Sequence, residues 1–164
     1  MDMLYTIHTQ SPLGTVEIKA DDKYVTSIRL IKSADNISPE KKPDEVAEHI
    51  RQCISELKEY FAGVRTHFTV PIKQSGTDFQ QKVWQQLLKI PYGTTISYLE
   101  MARRLGNPKL TRAVGGANHN NKLWIVVPCH RVIGADGSLT GYAGGIECKQ
   151  WLLQHEAGNK KKLM

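Results

Sequence analysis

The sequence predicts an α+β (mixed α/β) protein in which a small antiparallel sheet precedes a mainly helical half. Three short segments near the N-terminus are rich in Val, Ile, Thr and Tyr and are separated by turn residues; they are Leu4–Thr9, Gly14–Ala20 and Tyr24–Ile31. From position 43 onward, helix-start signals precede apolar residues at helical spacing. We therefore expect an N-terminal α/β domain over residues 1–75 and a helical domain over residues 76–164.

One helix is expected after the sheet. A polar loop over residues 32–42 leads to Pro43, which suits the first position of a helix, and Gly63 suits its end. The apolar residues of this segment share one helical face and comprise Val46, Ile50, Cys53, Ile54, Leu57 and Phe61. Cys53 is therefore predicted to lie in the core. The histidines of this half, His8, His49 and His67, are predicted to be surface or core residues without a catalytic function.

The second half opens with a helix-start signal. Thr77 and Gln80 fit a capping box, in which each side chain caps the backbone N–H of the other residue. Apolar residues at helical spacing follow, namely Phe79, Val83, Trp84, Leu87 and Leu88. A helix is therefore expected here, and Pro91, Tyr92 and Gly93 form the turn after it.

Two shorter helices are predicted next, with a tight turn between them. Ser97 and Glu100 fit a second capping box, which predicts a helix over residues 98–105. Gly106 suits the end of that helix, and Asn107-Pro108 suits the start of a third helix that runs to about residue 118. This helix-turn-helix pattern is common in DNA-binding proteins, although helical hairpins that bind nothing share it.

The third of these helices has unusually small side chains. Ala113, Gly115, Gly116 and Ala117 lie beside Arg112, although each glycine costs a helix about 0.8–1 kcal/mol relative to alanine. Small side chains let another surface approach the helix backbone closely. That surface is either a neighbouring element of the core, above all at Gly115, or a narrow groove of nucleic acid.

A candidate reactive site lies where a short apolar run ends at a cysteine that is followed by a histidine. The run Leu123–Val127 is predicted to be a strand that stops at Pro128, because proline cannot donate to a central ladder. Cys129 follows at the strand end, next to His130 and Arg131. A neighbouring proton acceptor or cation lowers the pKa of a thiol, so Cys129 is a candidate nucleophile. Local chemistry leaves a buried structural cysteine equally open.

The chain is predicted to close with a helix over residues 147–157. Its apolar stripe has i, i+3, i+4, i+7 spacing and consists of Cys148, Trp151, Leu152 and His155. Cys148 is therefore expected in the core. Glu156 falls outside this stripe, and periodicity alone predicts that it is solvated.

Charge is distributed unevenly along the chain. The net charge is +6, and residues 1–74 contain 10 Lys/Arg against 11 Asp/Glu, whereas residues 75–164 contain 12 against 5. The half that contains Cys129 therefore carries the whole basic excess, as expected of a surface that meets a polyanion. A merely solubilising charge is the alternative, since Lys160, Lys161 and Lys162 supply three of these cations.

Cysteine usage and hydropathy suggest the compartment. Three cysteines, at no metal-ligand spacing, are typical of a reducing compartment and argue against a zinc site. The N-terminus lacks a signal-peptide pattern, and no apolar run approaches membrane-spanning length. We expect a cytoplasmic protein with access to the nucleoid or nucleus, without bound metal and without a membrane partner.

Three motifs together carry a family resemblance. They are Arg112–Ala117, Pro128–Val132 and Gly141–Gly145, and their order and spacing resemble those of the O6-alkylguanine-DNA alkyltransferases, also called methylated-DNA–protein-cysteine methyltransferases. The resemblance is close from about Gly76 to Glu156. It implies a ribonuclease-H-like first domain and a winged helix-turn-helix-like second domain that carries the active-site cysteine.

The resemblance also implies an activity. A methyl or larger alkyl group passes irreversibly from O6-alkylguanine in double-stranded DNA to Cys129, once per protein molecule, after the base has been rotated out of the helix. O4-alkylthymine is a further candidate substrate. No cofactor is implied, and the protein is expected to act as a monomer.

Several residues take on functions through this resemblance. The catalytic set is Cys129, His130, Glu156 and Asn121, in which His130 takes the thiol proton through a water, Glu156 orients it and Asn121 braces the preceding turn. The substrate pocket comprises Tyr98, Val132, Tyr142 and Ala143, with Tyr98 donating to the departing guanine. The DNA-binding set comprises Arg112, Ala113, Gly115 and Tyr98, with Arg112 replacing the rotated base.

Two other functions stay open on the sequence. A winged-helix DNA-binding regulator with a structural cysteine would bind duplex DNA whether or not its thiols were blocked. A Cys-His hydrolase would turn over through a thioester and would not need the basic helix-turn-helix.

Overall fold

The computed structural model describes residues 4–31, 45–139 and 145–163, with side chains to residue 161. The chain divides into two compact units. The first contains Met1–Gln74 and Lys122–Trp124, and the second contains Ser75–Asn121 and Ile125–Met164.

The first unit contains the predicted antiparallel meander. Its strands are β1 (Tyr5–Ser11), β2 (Gly14–Ala20) and β3 (Val25–Ile31), in the order 1-2-3. The register places Ile7, Ile18 and Ile28 opposite one another, and all three are buried. The apolar face of the sheet therefore forms the core of this unit, because successive side chains of a strand point to opposite faces.

The helix of the first unit, α1, spans Glu48–Phe61 and begins five residues later than predicted. Val46 precedes the helix, and Pro43 and the loop over residues 32–42 lie outside the described residues. Cys53 is fully buried, and this burial raises the pKa of its thiol to about 12, so the core position predicted for it is confirmed. Gly63 follows the helix with a φ of 81°, as its predicted position requires.

The histidines of this unit have ordinary structural surroundings. His8 Nε2 lies 3.2 Å from Glu17 Oε2, and His49 Nε2 lies 2.7 Å from the backbone oxygen of Asp21. Both imidazoles are buried, whereas His67 is exposed.

The second unit is mainly helical. Its helices are α2 (Asp78–Leu87), α3 (Tyr98–Arg104), α4 (Thr111–His119) and α5 (Ile146–Leu163), with 3₁₀ turns at Pro108–Leu110 and Cys129–Arg131. Two short strands, β4 (Ile96–Ser97) and β5 (Val132–Ile133), pair in parallel. No helix among the described residues is both long and apolar enough to cross a membrane.

The predicted helix starts and stops are largely confirmed. Thr77 and Gln80 form the full capping box of α2, and the Ser97 hydroxyl accepts from the backbone N–H of Glu100 at the start of α3. The carboxylate of Glu100 accepts from Arg104 Nε instead of closing a second box. Gly106 has a φ of 96° in the turn after α3.

Some helix boundaries differ from the predictions. Asn107 caps the turn that begins at Pro108, but this turn is 3₁₀ and the α-helix starts only at Thr111. Leu88 ends α2 with 51% exposure and is not part of its buried face. The last helix extends six residues beyond the predicted end at residue 157.

The predicted strand over Leu123–Val127 is wrong. Leu123 makes a single bridge to Ile28, and the chain then turns, because Ile125 adopts a φ of 70°. A β-branched residue in this left-handed region interrupts any extended segment and costs about 1–3 kcal/mol. All five residues are nevertheless buried, so the apolar run marks core packing in the form of a turn.

Candidate active site

Cys129 lies in a 3₁₀ turn whose backbone is held by two asparagines. Asn121 Nδ2 donates to the carbonyl of Val127 at 2.8 Å, and Asn118 Nδ2 donates to the carbonyl of Cys129 at 3.2 Å. Cys129 itself is 7% exposed. The bracing predicted for Asn121 is therefore present, whereas Asn118 is a buried residue of α4 that the sequence reading missed.

A buried hydrogen-bonded network follows directly on the thiol. His130 Nε2 lies 2.6 Å from Glu156 Oε2, and Arg131 donates to the same carboxylate from Nε at 2.8 Å and from Nη2 at 3.1 Å. Arg131 Nη1 also donates to the carbonyl of Ile90, and the backbone N–H of Gly93 donates to Glu156 Oε1. The structure thus brings His130 and Glu156 together next to Cys129.

Electrostatics fixes the protonation state of this network. Burial would raise the pKa of Glu156, but the hydrogen bonds that His130 and Arg131 donate, together with the guanidinium charge of Arg131, hold this pKa well below its usual range. Burial lowers the pKa of His130, although Glu156 opposes this effect. At neutral pH the carboxylate is therefore ionised and the imidazole neutral.

The tautomer of His130 follows from these partners. A carboxylate only accepts, so Nε2 carries the ring proton that is donated to Glu156. Nδ1 is then an unprotonated nitrogen, and it has no hydrogen-bond partner among the described residues. A buried, oriented imidazole with a vacant acceptor nitrogen is suited to taking a proton.

Glu156 is buried, although the periodicity of the helix alone would leave it solvated. Its exposure is 0%, because the buried face of α5 follows Cys148, Leu152 and Glu156 at i, i+4 and i+8. Trp151 and His155, which the sequence reading placed on this stripe, are half-buried and stack on each other with ring centroids 4.7 Å apart. Cys148 is buried, as predicted.

Tyr98 and Val132 meet through the two short strands. Pairing of Ile96 with Val132 places Tyr98, the first residue of α3, beside the turn that contains Cys129. Burial is the main cause that raises the pKa of Tyr98, and the charge of a Cys129 thiolate would raise it further. The phenol is therefore protonated at neutral pH and can act as a hydrogen-bond donor.

A buried lysine completes the site and was also missed from the sequence. Lys149 has 0% exposure, and its Nζ donates to the carbonyl of Val132 at 2.7 Å. Lys149 directly follows Cys148 on the face of α5 that is buried, and this position could have predicted its burial. It was overlooked because the sequence pattern placed the buried face on the side of Trp151 and His155.

Three of the four small residues of α4, namely Ala113, Gly115 and Gly116, lie away from the core, whereas Ala117 is buried. Arg112 and Ala113 are exposed, and a Cβ built on Gly115 or Gly116 would meet no described atom within 4 Å. The core side of the helix is formed by other residues, and Trp84 Nε1 donates to the carbonyl of Ala117 at 2.9 Å. Close packing against the described core therefore does not explain Gly115.

The remaining predicted pocket residues, Tyr142 and Ala143, lie outside the described residues. Within the described part of the chain, no group of three or more His, Cys, Asp or Glu side chains could hold a metal ion.

Two family models together match nearly the whole chain. Residues 78–158 match a model described as the DNA-binding domain of 6-O-methylguanine DNA methyltransferase, and residues 3–74 match one described as its ribonuclease-like domain. The chain belongs to this methyltransferase family. Both the resemblance and the α+β fold class predicted from the sequence are thereby confirmed.

Individual relatives of the methyltransferase family align along almost their full length. The methylated-DNA–protein-cysteine methyltransferase of Methanosarcina acetivorans is 43% identical, covering 94% of this chain and 98% of the relative. The constitutive enzyme of Bacillus subtilis is 44% identical over 94% of this chain and 96% of its own. A crystal structure of Mycobacterium tuberculosis OGT in complex with DNA superposes with a TM-score of 0.83 at 42% identity, covering 94% and 93% of the two chains.

Proposed function

We propose that this protein repairs DNA directly, by transferring a methyl or larger alkyl group from the O6 atom of guanine to its own Cys129. The observation that carries the proposal is the buried His130–Glu156 pair at 2.6 Å, adjacent to Cys129 in a chain of the methyltransferase family. This pair gives the thiol a neutral base with a vacant nitrogen. A regulator with a structural cysteine would not need such an arrangement.

The first step is removal of the thiol proton. Cys129 is reactive only as the thiolate, and we assign His130 Nδ1 as the acceptor of its proton, directly or through one water. Glu156 stabilises the imidazolium that forms, because it lies opposite Nε2 and is held ionised by Arg131. Asn118 and Asn121 fix the backbone of the turn, so the sulfur stays in position.

The second step is displacement at a saturated carbon. The thiolate forms the S–C bond while the bond between that carbon and O6 breaks, and its electron pair remains on the guanine. The guanine anion takes up a proton, which balances the one lost by the thiol, and the Tyr98 hydroxyl stabilises it by donating a hydrogen bond. The product is a thioether, which has no good leaving group, so Cys129 is used once.

The lesion has to leave the DNA stack to reach the thiol. The O6 atom of a stacked guanine faces the major groove, whereas the bare surface of α4 suits a narrow groove. We assign Arg112 to the space vacated by the rotated base, and Ala113 and Gly115 to close approach of the backbone. The protein is proposed to do this as a monomer, through a helical domain over residues 76–164.

Mass spectrometry of the intact protein and of its peptides tests the proposal. After incubation with a duplex oligonucleotide that contains one O6-methylguanine, we expect one added methyl group on the peptide with Cys129 and none on those with Cys53 or Cys148. Product should plateau at one equivalent per protein, and Cys129→Ser should form none. Sustained turnover would favour a hydrolase, and DNA binding without methylation would favour a regulator.

A further inference from the structure

Lys149 lies close to Cys129, and no step proposed above uses it. It is the fourth residue of α5 and has 0% exposure. Lysine is almost never fully buried unless its charge is compensated. Burial lowers the pKa of Lys149, whereas the nearby Cys129 raises it. The ammonium form of Lys149 and a thiolate at Cys129 therefore stabilise each other.

Two contacts fix the position of the ammonium group. Nζ donates to the carbonyl of Val132 at 2.7 Å and lies 5.7 Å from the centroid of the Tyr98 ring. Val132 begins β5, and Tyr98 directly follows β4, with which β5 pairs. The lysine is thus anchored at the place where the turn that contains Cys129 passes into β5.

The other ionisable groups around the thiol do not supply a positive charge to it. His130 is neutral at neutral pH, because burial lowers its pKa and the charges of Arg131 and Lys149 lower it further. The guanidinium of Arg131 makes two hydrogen bonds to the carboxylate of Glu156. Tyr98 is a protonated phenol. Of these four side chains, Lys149 is therefore the one whose positive charge can stabilise a thiolate.

We propose that Lys149 is a positioning residue for alkyl transfer, whose buried ammonium stabilises the Cys129 thiolate and holds the Val132 carbonyl beside the incoming base. This inference rests on the proposed function of Cys129. Lys149 keeps its proton throughout: the thiol proton passes to His130, the S–C bond forms as the C–O6 bond breaks, and the electron pair leaves with the guanine. The charge acts by favouring the reactive form of the nucleophile.

The test measures the reactivity of the thiol without DNA. The rate of carboxamidomethylation of Cys129 by iodoacetamide is followed by peptide mass spectrometry as a function of pH, in the parent and in three variants. Lys149→Met removes the charge at similar length, and Lys149→Arg retains it. Lys161→Met is the matched control, because Lys161 is an exposed residue of the same helix.

Only the variant that removes the charge of Lys149 is expected to change the pKa of the Cys129 thiol. An opposite charge nearby lowers a pKa by about 1–3 units, so Lys149→Met should raise the apparent pKa of the Cys129 thiol by about one unit or more. At pH values below both pKa values its reaction should be about tenfold slower, since one unit there corresponds to a tenfold change in thiolate, and it should recover at high pH. Lys149→Arg and Lys161→Met should retain the parent profile.

Other outcomes would overturn the inference. An unchanged apparent pKa in Lys149→Met, or slowing by the same factor at every pH, would show that Lys149 serves packing alone. If Lys149→Met does not fold, a raised thiol pKa in folded Lys149→Arg would equally contradict the inference. Because iodoacetamide needs no DNA, failure of the parent to accept a methyl group from O6-methylguanine would refute the proposed function separately.

Discussion

Replacing Glu156 by glutamine tests the buried network at the candidate site. The carboxylate accepts from Arg131 Nε and Nη2, from His130 Nε2 and from the backbone N–H of Gly93. Glutamine keeps one acceptor oxygen but directs an amide NH₂ at one of these donors. It also leaves the guanidinium of Arg131, which is 6% exposed, without its counter-ion.

The loss of stability should be large, because both Glu156 and Arg131 are buried. Removing one partner of a buried ion pair typically costs about 3–5 kcal/mol, because the other charge stays desolvated. A natural domain has only about 5–15 kcal/mol of net stability. Glu156→Gln should therefore use up a substantial part of that stability, and the midpoint of thermal unfolding should fall by several degrees.

Chemical denaturation measures the effect against a matched control. Glu100→Gln removes a carboxylate that pairs with Arg104 at 3.3 Å, but here the side chains are 38% and 44% exposed. An exposed pair of this kind contributes only about 0.3–0.5 kcal/mol. Glu156→Gln should thus cost several times more than Glu100→Gln, and its single-turnover methyl transfer should be slower below the melting temperature, because His130 loses the carboxylate that orients it.

The refuting result is an equal cost for the two substitutions. If Glu156→Gln and Glu100→Gln destabilised the protein alike, the carboxylate could not be compensating a desolvated guanidinium. An unchanged rate of methyl transfer would separately contradict the assignment of Glu156 as the residue that orients His130.

Three further predictions follow from the same structure. Arg112→Ala should slow repair of O6-methylguanine in duplex DNA much more than in a single strand, which needs no base rotation; equal slowing of both would refute the function assigned to Arg112. Gly115→Ala should stabilise the protein in urea unfolding by about 0.5–1 kcal/mol, because the new methyl group meets no described atom, while slowing repair of duplex DNA; a loss of stability would contradict this reasoning. The free energy of unfolding should decrease as pH falls, in two steps. Below about pH 6.5, His130 is protonated in the unfolded chain, whereas burial keeps it neutral in the folded protein. Below about pH 4.3, Glu156 is protonated in the unfolded chain, whereas its partners keep it ionised in the folded protein. Both folded-state pKa values are lowered, so both contributions are present at higher pH and lost in acid; a flat profile in urea unfolding would contradict them.

Local signals in the sequence were sufficient for most of the fold. The meander was predictable because segments rich in Val, Ile, Thr and Tyr lie between short turns, and α2 and α3 were predictable because capping residues are local to the chain. Cys129, His130 and Arg131 were recognisable as a candidate reactive site because a thiol, an imidazole and a guanidinium are adjacent in the sequence. In each case, the physical cause of the structure lies within a few residues of the position that it explains.

The failures involve residues whose surroundings come from distant parts of the chain. Ile125 adopts a left-handed conformation within an apolar run that looks like a strand, and no local signal separates a buried turn from a buried strand. Glu156 was assigned to the site through the family resemblance and not through periodicity, and Lys149 was overlooked, for a similar reason. Charged residues on a helix are ordinarily solvated, and only the partners on the Cys129–Arg131 turn and on β5 make their burial possible.

The buried charges around Cys129 are better explained by reactivity than by stability. Replacing a buried ion pair by apolar residues is often neutral or stabilising, so stability alone gives little reason to retain three charged side chains at less than 7% exposure. Together, however, they set the protonation states of His130 and of the Cys129 thiol, which are neighbours in the same 3₁₀ turn. Arg131 keeps Glu156 ionised and Glu156 orients a neutral His130, while Lys149 favours the negative form of the thiol. In the proposed reaction Cys129 is used once, so these buried charges have to support the formation of only one thiolate in each protein molecule.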